Sequence, residues 1–181
     1  MLLRWYFTED DWSHRPFLPV AGPKQTNIEK TSTWPYKDWV LTGLAQYTIQ
    51  ARLLSKACYH WDAATKLSPI DLVLGWGAMA DPALSRQIQI AQSFRWYTIK
   101  IPPQLQQRNS EIQASIANIH ILPGSSTIEK QIKAAPLGAI LTLRGFLIEG
   151  KGPQGQSWRS SLSQTGTEAG EVFYVDQAVI D

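Results

Sequence analysis

Asn118 and His120 stand two residues apart on what reads as one face of a strand, with Glu111 and Ser115 just upstream. An imidazole near a hydroxyl and a carboxylate is the minimal equipment for base-assisted hydrolysis, with His120 drawing a proton from a nucleophile. No local signature marks Ser115 as an activated nucleophile, and a polar strand face carries polar residues without any chemistry. A hydrolase using His120 is therefore the last of three functional readings, and no residue is assigned a catalytic role. His14 and His60 lie too far along the chain for a recognisable ligand spacing, and Cys58 is the only cysteine. That excludes a two-cysteine metal site and an intrachain disulfide, and neither a metal nor a cofactor is expected.

Asp71 and Asp81 would matter as paired carboxylates, but each belongs to what reads as a helix start. Ser68-Pro69 ahead of Asp71, and Asp81-Pro82, are residue types that open helices, so capping explains both. Ile70, Val73 and Leu74 then share a helical face, and Gly75-Trp76-Gly77 reads as a glycine helix stop with an anchoring Trp. Gly150-Lys151-Gly152-Pro153-Gln154-Gly155 lacks the order of a phosphate-binding loop and follows a strand without opening a helix, so it reads as a hairpin turn. Cys58 reads as a buried thiol at a strand end.

The elements that position these residues follow from periodicity. Ala117, Ile119 and Ile121 alternate with Asn118 and His120 until Pro123-Gly124. Ser126 and Glu129 form a capping box, Ile128, Ile132 and Ala135 share one helical face, and Pro136 and Gly138 stop the run. Period two returns with Leu141, Leu143 and Leu147, and an earlier strand alternates through Ala45, Tyr47, Ile49, Ala51 and Leu53. The predicted order is strand one over 44–55, strand two over 94–101, strand three over 116–122, a helix over 126–135, strand four over 139–149 and strand five over 171–180. A helix between the third and fourth of five strands points to a mainly β fold, an OB-like barrel. The first connection is then far longer than a hairpin loop of about two to five residues. This partly helical insertion between strands one and two contains Trp61 and Trp76 and borders the usual binding face, so function is expected there.

Seventeen Lys+Arg against fifteen Asp+Glu leave a net charge of +2 over 181 residues. The charges form no cationic tail or stripe, which gives backbone neutralisation of a nucleic acid little support. The length suits one domain with one core. Residues 1–40 differ from the rest: Pro16, Pro19, Pro23 and Pro35 punctuate a polar stretch holding Trp5, Trp12, Trp34 and Trp39, which reads as an extended arm on a single domain over 41–181. Met1–Phe7 is far short of the ~20 apolar residues of a membrane span, so the chain as given is expected to be soluble. The first functional reading is a non-catalytic binding or assembly subunit that meets a protein partner through Trp5, Trp12, Trp34, Trp39, Trp61 and Trp76. The alternative is single-stranded nucleic-acid or oligosaccharide binding on the barrel face by Arg95, Trp96, Lys100, Asn118, His120, Arg144 and Phe146, with Tyr174 as a further stacking platform. Alternation puts Trp96, Thr98 and Lys100 on one exposed strip.

The block Leu67-Ser68-Pro69-Ile70-Asp71-Leu72-Val73-Leu74-Gly75-Trp76-Gly77-Ala78-Met79-Ala80-Asp81 carries a resemblance, together with Ser115, Asn118, His120, Pro123 and Trp158-Arg159-Ser160-Ser161-Leu162. Over roughly residues 45–176 the chain resembles a family of uncharacterised bacterial proteins. Members of that family often carry an N-terminal membrane or export segment and have no established activity. The resemblance thus implies the cell envelope or the membrane periphery, reached through a segment absent from this chain, and supplies no catalytic residues. Gly170-Glu171 also departs from the pattern, lacking the cysteine often found there.

Overall fold

The computed structural model describes residues 21–60, 63–162 and 170–181, which leaves Trp5, Trp12 and Trp61 outside. Two short strands, β1 (Lys24–Asn27) and β2 (Thr33–Tyr36), precede the long strand β3 (Trp39–Cys58). There follow β4 (Ile70–Gly75), the single-turn helix α1 (Pro82–Ser85), β5 (Gln89–Ser93), β6 (Trp96–Lys100) and α2 (Asn109–Gln113). The remainder is β7 (Ile116–Pro123), α3 (Ser126–Ala134), β8 (Ile140–Lys151), β9 (Ser157–Arg159) and β10 (Gly170–Ile180). The molecule is mainly β, and five strands form a ring-like sheet. β3 pairs antiparallel with β4 and β4 with β7; β7 runs parallel to β10; β10 pairs antiparallel with β8, which returns to β3. Among the described residues no helix is long and apolar enough to cross a membrane, which says nothing of strands.

Alternation decides what fills the ring. Tyr47, Ile49 and Leu53 of β3 meet Leu72 and Leu74 of β4, Ile119 and Ile121 of β7, and Phe173 of β10, while α3 lays Ile128 and Ile132 against this core. The helix is capped by Ser125, one residue before the expected Ser126, whose hydroxyl accepts from the Ile128 N–H at 3.2 Å. Its other end is tied to β3, because Lys56 Nζ donates to the carbonyls of Lys133 and Ala135 at 2.5 and 2.8 Å. A cation among the last carbonyls of a helix is favourable electrostatically. Burial lowers the Lys56 pKa, so this contact is formed at a desolvation cost.

β4 occupies the segment whose composition predicts a helix. Both of its faces are buried: Leu72 and Leu74 lie in the ring core, whereas Val73 joins a second cluster with Leu54, Met79, Leu84 and Tyr97. A strand covered on both faces loses its polar alternation and reads as a continuous apolar run. Ser68 Oγ caps nothing and instead donates to the Ile121 carbonyl at 3.0 Å. Gly75 ends a strand rather than a helix; a Cβ there would sit 2.6 Å from Leu54 Cδ1. The second ring strand is therefore residues 70–75, and β6, expected in the ring over 94–101, belongs to a separate two-stranded hairpin with β5.

The insertion accordingly falls between β4 and β7, over residues 76–115, and not between the first two strands. Its base is closed where the Trp76 N–H donates to the Ser115 carbonyl at 3.0 Å. Asp81 does cap α1, accepting from the Ala83 N–H at 2.8 Å. Arg52, buried on β3, donates to the carbonyls of Ala80 and Gly138, both at 2.6 Å, and so links the insertion to the turn after α3. Cys58 is exposed, because it is the last residue of β3 and lies beyond the part covered on both sides.

Residues 24–36 do not run free of the sheet. β1 lies antiparallel against Ala45–Thr48 and β2 against Trp39–Thr42. Trp39 packs in a third, outer cluster with Leu41, Leu67, Leu122, Ile148 and Val172.

At Gly145 φ is +154°, and a Cβ would strike the Tyr174 carbonyl oxygen where β10 bulges between Val175 and Gln177. Gly145→Ala is expected to lower stability by about 2–3 kcal/mol. The readout is the urea midpoint, and an unmoved midpoint would refute this close approach.

Candidate functional site

The β4–β7 ladder sets Asp71 directly opposite His120, both on the outer face because Leu72, Ile119 and Ile121 fill the inside. His120 Nδ1 lies 2.8 Å from Asp71 Oδ1. The Tyr59 hydroxyl donates to Asp71 Oδ2 at 3.1 Å, and Arg95, at the turn of the β5–β6 hairpin, brings Nη1 to 3.5 Å from Oδ1. The same Nη1 donates to the Ser68 carbonyl at 2.8 Å. The guanidinium lies over the Tyr59 ring at 4.1 Å and over the Trp158 ring at 5.4 Å, and the His120 ring sits 4.6 Å from Trp158. Such faces attract a cation most when water is excluded. A second chain of contacts runs from Ser55 Oγ to Gln92 Oε1 at 2.7 Å and from Gln92 Nε2 to Asn118 Oδ1 at 2.9 Å, and Asn118 Nδ2 donates to the Arg95 carbonyl at 3.3 Å.

The Asp71 side chain is 0% exposed and that of Arg95 12%, so the charge pair is largely out of water. Burial, followed by the Asp71 charge, pushes the Tyr59 hydroxyl well above its ordinary pKa. The contact of Nδ1 with the carboxylate leaves Nε2 as the ring nitrogen turned away from Asp71. The hydrolytic set expected around it is not assembled. Ser115 lies five residues back along extended chain, about 16 Å away at strand rise, and Glu111 is ion-paired with Arg108 at 2.8 Å on the surface. Among the described residues Asp71 is the only hydrogen-bond partner of the His120 imidazole, and no three His, Cys, Asp or Glu side chains converge on a metal-sized site. The cluster thus holds Arg95, and through it the hairpin, against the ring.

Arg95 is held in a costly conformation. A two-residue link joins β5 and β6, with φ +50° at Phe94 and +68° at Arg95. Hairpin turns of this kind favour Asn-Gly, and each non-glycine residue at positive φ costs about 1–2 kcal/mol. The contacts of Arg95 offset that cost, and its neighbours in the chain are left facing solvent, Phe94 58% and Trp96 70% exposed.

Of the residues expected on a ligand face, Arg95, Asn118 and His120 come together, but beneath the hairpin rather than on a surface, since Asn118 and His120 are buried. Trp96 and Lys100 are exposed on β6, outside the ring. Arg144 is exposed on β8, and Phe146 packs edge-on to Trp34 with centroids 5.8 Å apart, in an aromatic group that includes Tyr174. Of the tryptophans expected to bind a partner, Trp39 and Trp76 are 6% exposed and serve as core, because an apolar ring beside a two-sided strand is the cheapest filler available. In the sequence Phe94 and Tyr59 have no assigned role, and Trp158 and Glu171 are marked only within the stretches compared for the resemblance, without a site role. The break between alternating Ile88-Ile90 and Tyr97-Ile99 was the one signal of a hairpin tip, and Phe-Arg is not turn chemistry.

Glu171 forms a separate buried site on the inner face of β10, in line with Phe173 and Val175. It accepts from the hydroxyls of Ser160 and Ser161 and from the Leu162 N–H. Burial raises its pKa despite those three donors.

No family model, no curated protein and no solved structure matches this chain. The functional reading therefore starts from the geometry alone.

Asp71→Asn keeps the shape and removes the charge opposite Arg95. Breaking a buried pair costs about 3–5 kcal/mol, so a loss near the lower end is expected by urea denaturation, and a much smaller one in an Arg95→Met background. Equal losses in both backgrounds would show that the pair is not coupled. For Glu171, a folded pKa raised above the unfolded value of 4.5 means stability that is fully present below that value and is lost as pH rises through the folded pKa. Glu171→Gln is expected to melt above the parent at pH 8 and together with it at pH 4. A parent that melts higher at pH 8 would reverse this assignment.

Proposed function

We propose that this chain is a non-catalytic binding or assembly subunit, an OB-like barrel that meets a protein partner through the hairpin carried on its insertion. The observation that carries the reading is the tip itself: two exposed aromatics, Phe94 and Trp96, flank an Arg95 that is pinned from inside. Backbone strain of this kind persists only where surrounding contacts over-determine it, and such places cluster at ligand contacts. Exposed aromatics on a rigid support are the residue type of binding hot spots.

The OB-like assignment is supported by the pairing order, with a parallel contact between the third and fifth ring strands, and by α3 lying in the chain between the third and fourth. In such barrels ligands use the outer face of strands two and three. Here that face is covered by residues 76–115, so contact with a partner passes to the covering hairpin. The resemblance to envelope-associated bacterial proteins adds a location to this reading. Its residues Asp71, Asn118, His120 and Trp158 are the ones that seat the hairpin, a role consistent with a family defined by a scaffold rather than a reaction.

A second reading rests on the strip Trp96, Thr98 and Lys100, all exposed on β6. It supports base or sugar stacking with one cation alongside. The two readings separate in one experiment. The double variant Phe94→Ser, Trp96→Ser is expected to lose a stoichiometric protein captured by the parent while its melting curve stays unchanged. Retention of that protein would sink the first reading, and salt-dependent quenching of tryptophan fluorescence by single-stranded oligonucleotides would favour the second.

A further inference from the structure

Among the described residues, β6 is a strand edge left open beside an exposed aromatic. β5 and β6 form a two-stranded sheet, and among the described residues β6 pairs with β5 alone. Because Ser93 and Trp96 flank a two-residue link, they form a hydrogen-bonded pair, and antiparallel alternation makes Ala91–Thr98 and Gln89–Lys100 the next ones. The N–H and C=O groups of Tyr97 and Ile99 consequently point away from β5, and among the described residues no backbone group accepts or donates to them. Their side chains turn inward, Tyr97 and Ile99 both packing in the second core cluster. The outward side chains are Trp96, Thr98 and Lys100.

We propose that the occupant of this edge is a second copy of the same chain, paired antiparallel through β6 with Thr98 on the two-fold axis. This names the partner of the tip and rests on the binding reading above. The register is self-complementary in two independent ways. With Thr98 opposite Thr98, Tyr97 of one copy faces Ile99 of the other, so every outward donor meets an outward acceptor. The same register sets Trp96 opposite Lys100 in the closely spaced, non-hydrogen-bonded positions, where side chains touch most. Each copy then contributes one ring and one ammonium to two equivalent cation–π contacts. A register slid by two residues sets Ile99 or Tyr97 against its own copy, faces Thr98 with Lys100 or Trp96, and loses both contacts. Such a joint unites two hairpins in a four-stranded sheet with a small buried area, so a weak dimer is expected, forming at concentrations on the order of 10–100 µM.

Sedimentation velocity of the full chain over a concentration series tests this. The parent is expected to show a concentration-dependent monomer–dimer equilibrium. Lys100→Glu, an exposed change that leaves the hairpin bonds intact, is expected to weaken it about tenfold or more. Ile99→Pro removes one outward N–H and is expected to abolish the dimer, with circular dichroism checking that the fold persists. Trp96→Glu, which restores an attractive pair with Lys100 of the second copy, is expected to dimerise more tightly than Trp96→Lys. A parent that is monomeric throughout overturns the proposal, as does a dimer indifferent to both Lys100→Glu and Ile99→Pro. If the monomeric parent still captures another protein in a manner lost with Phe94→Ser, Trp96→Ser, the binding reading survives and self-pairing alone fails.

Discussion

The structure depends on one strand having two different neighbours along its length. β3 pairs with β8 from Val40 to Arg52 and with β4 from Arg52 to Cys58, on opposite edges. To serve both it must bend, and its ladder is interrupted between Gly43 and Ala45 and again between Leu53 and Ser55. Extra residues at such points increase local twist and let a sheet close. Once closed, none of the five ring strands presents a free edge over the shared stretch, and the interior is apolar apart from the buried Glu171. The outside of β4 and β7 is then the surface that still needs cover, since the apolar Val73 and Ile116 point there.

Covering that surface is what the insertion does, and it carries the polar chemistry with it. Asp71 would be prohibitively costly as a lone buried carboxylate. Its two oxygens instead receive His120, Tyr59 and Arg95, from the neighbouring strand, the chain after β3 and the hairpin respectively. Three separate pieces of chain are thereby required to meet at one point. An apolar contact could slide by a residue at small cost, whereas a buried charge pair cannot. The Ser55–Gln92–Asn118 series adds a second point of registration on the same face. The unfavourable turn at Phe94-Arg95 is a consequence: the guanidinium must reach inward, and the backbone adopts positive φ to let it.

Much of this was legible in the chain and some was not, and the division follows physical lines. β3 and β8 alternate visibly because each borders the core on one side over much of its length, and β7 alternates because its second face, though buried, carries Asn118 and His120. β4 was misread because it is buried on both sides, and six apolar-rich residues after Ser-Pro satisfy a helical template as well as a strand. Moving one strand moved the insertion, and with it the expected place of function. Asp71 suffered the same error, read as a cap when it is the centre of the buried cluster. The sequence places His120 and Asn118 together on one strand face, but their partners lie 49 and 26 residues away in sequence, in Asp71 and Gln92. No local pattern marks such a meeting.

The sequence by itself determined the mainly β character and, with Cys58 the single cysteine of these 181 residues, ruled out a disulfide within them, because composition and alternation act through nearest neighbours and need no knowledge of what packs above them. Tertiary structure alone decided which strand closes the ring, that Trp39 and Trp76 are core while Phe94 and Trp96 are surface, and that Asp71, His120 and Arg95 form one cluster. Those outcomes depend on which element covers which face, and in this chain the covering element is an insertion whose position depends on a charge pair formed between residues far apart in the chain.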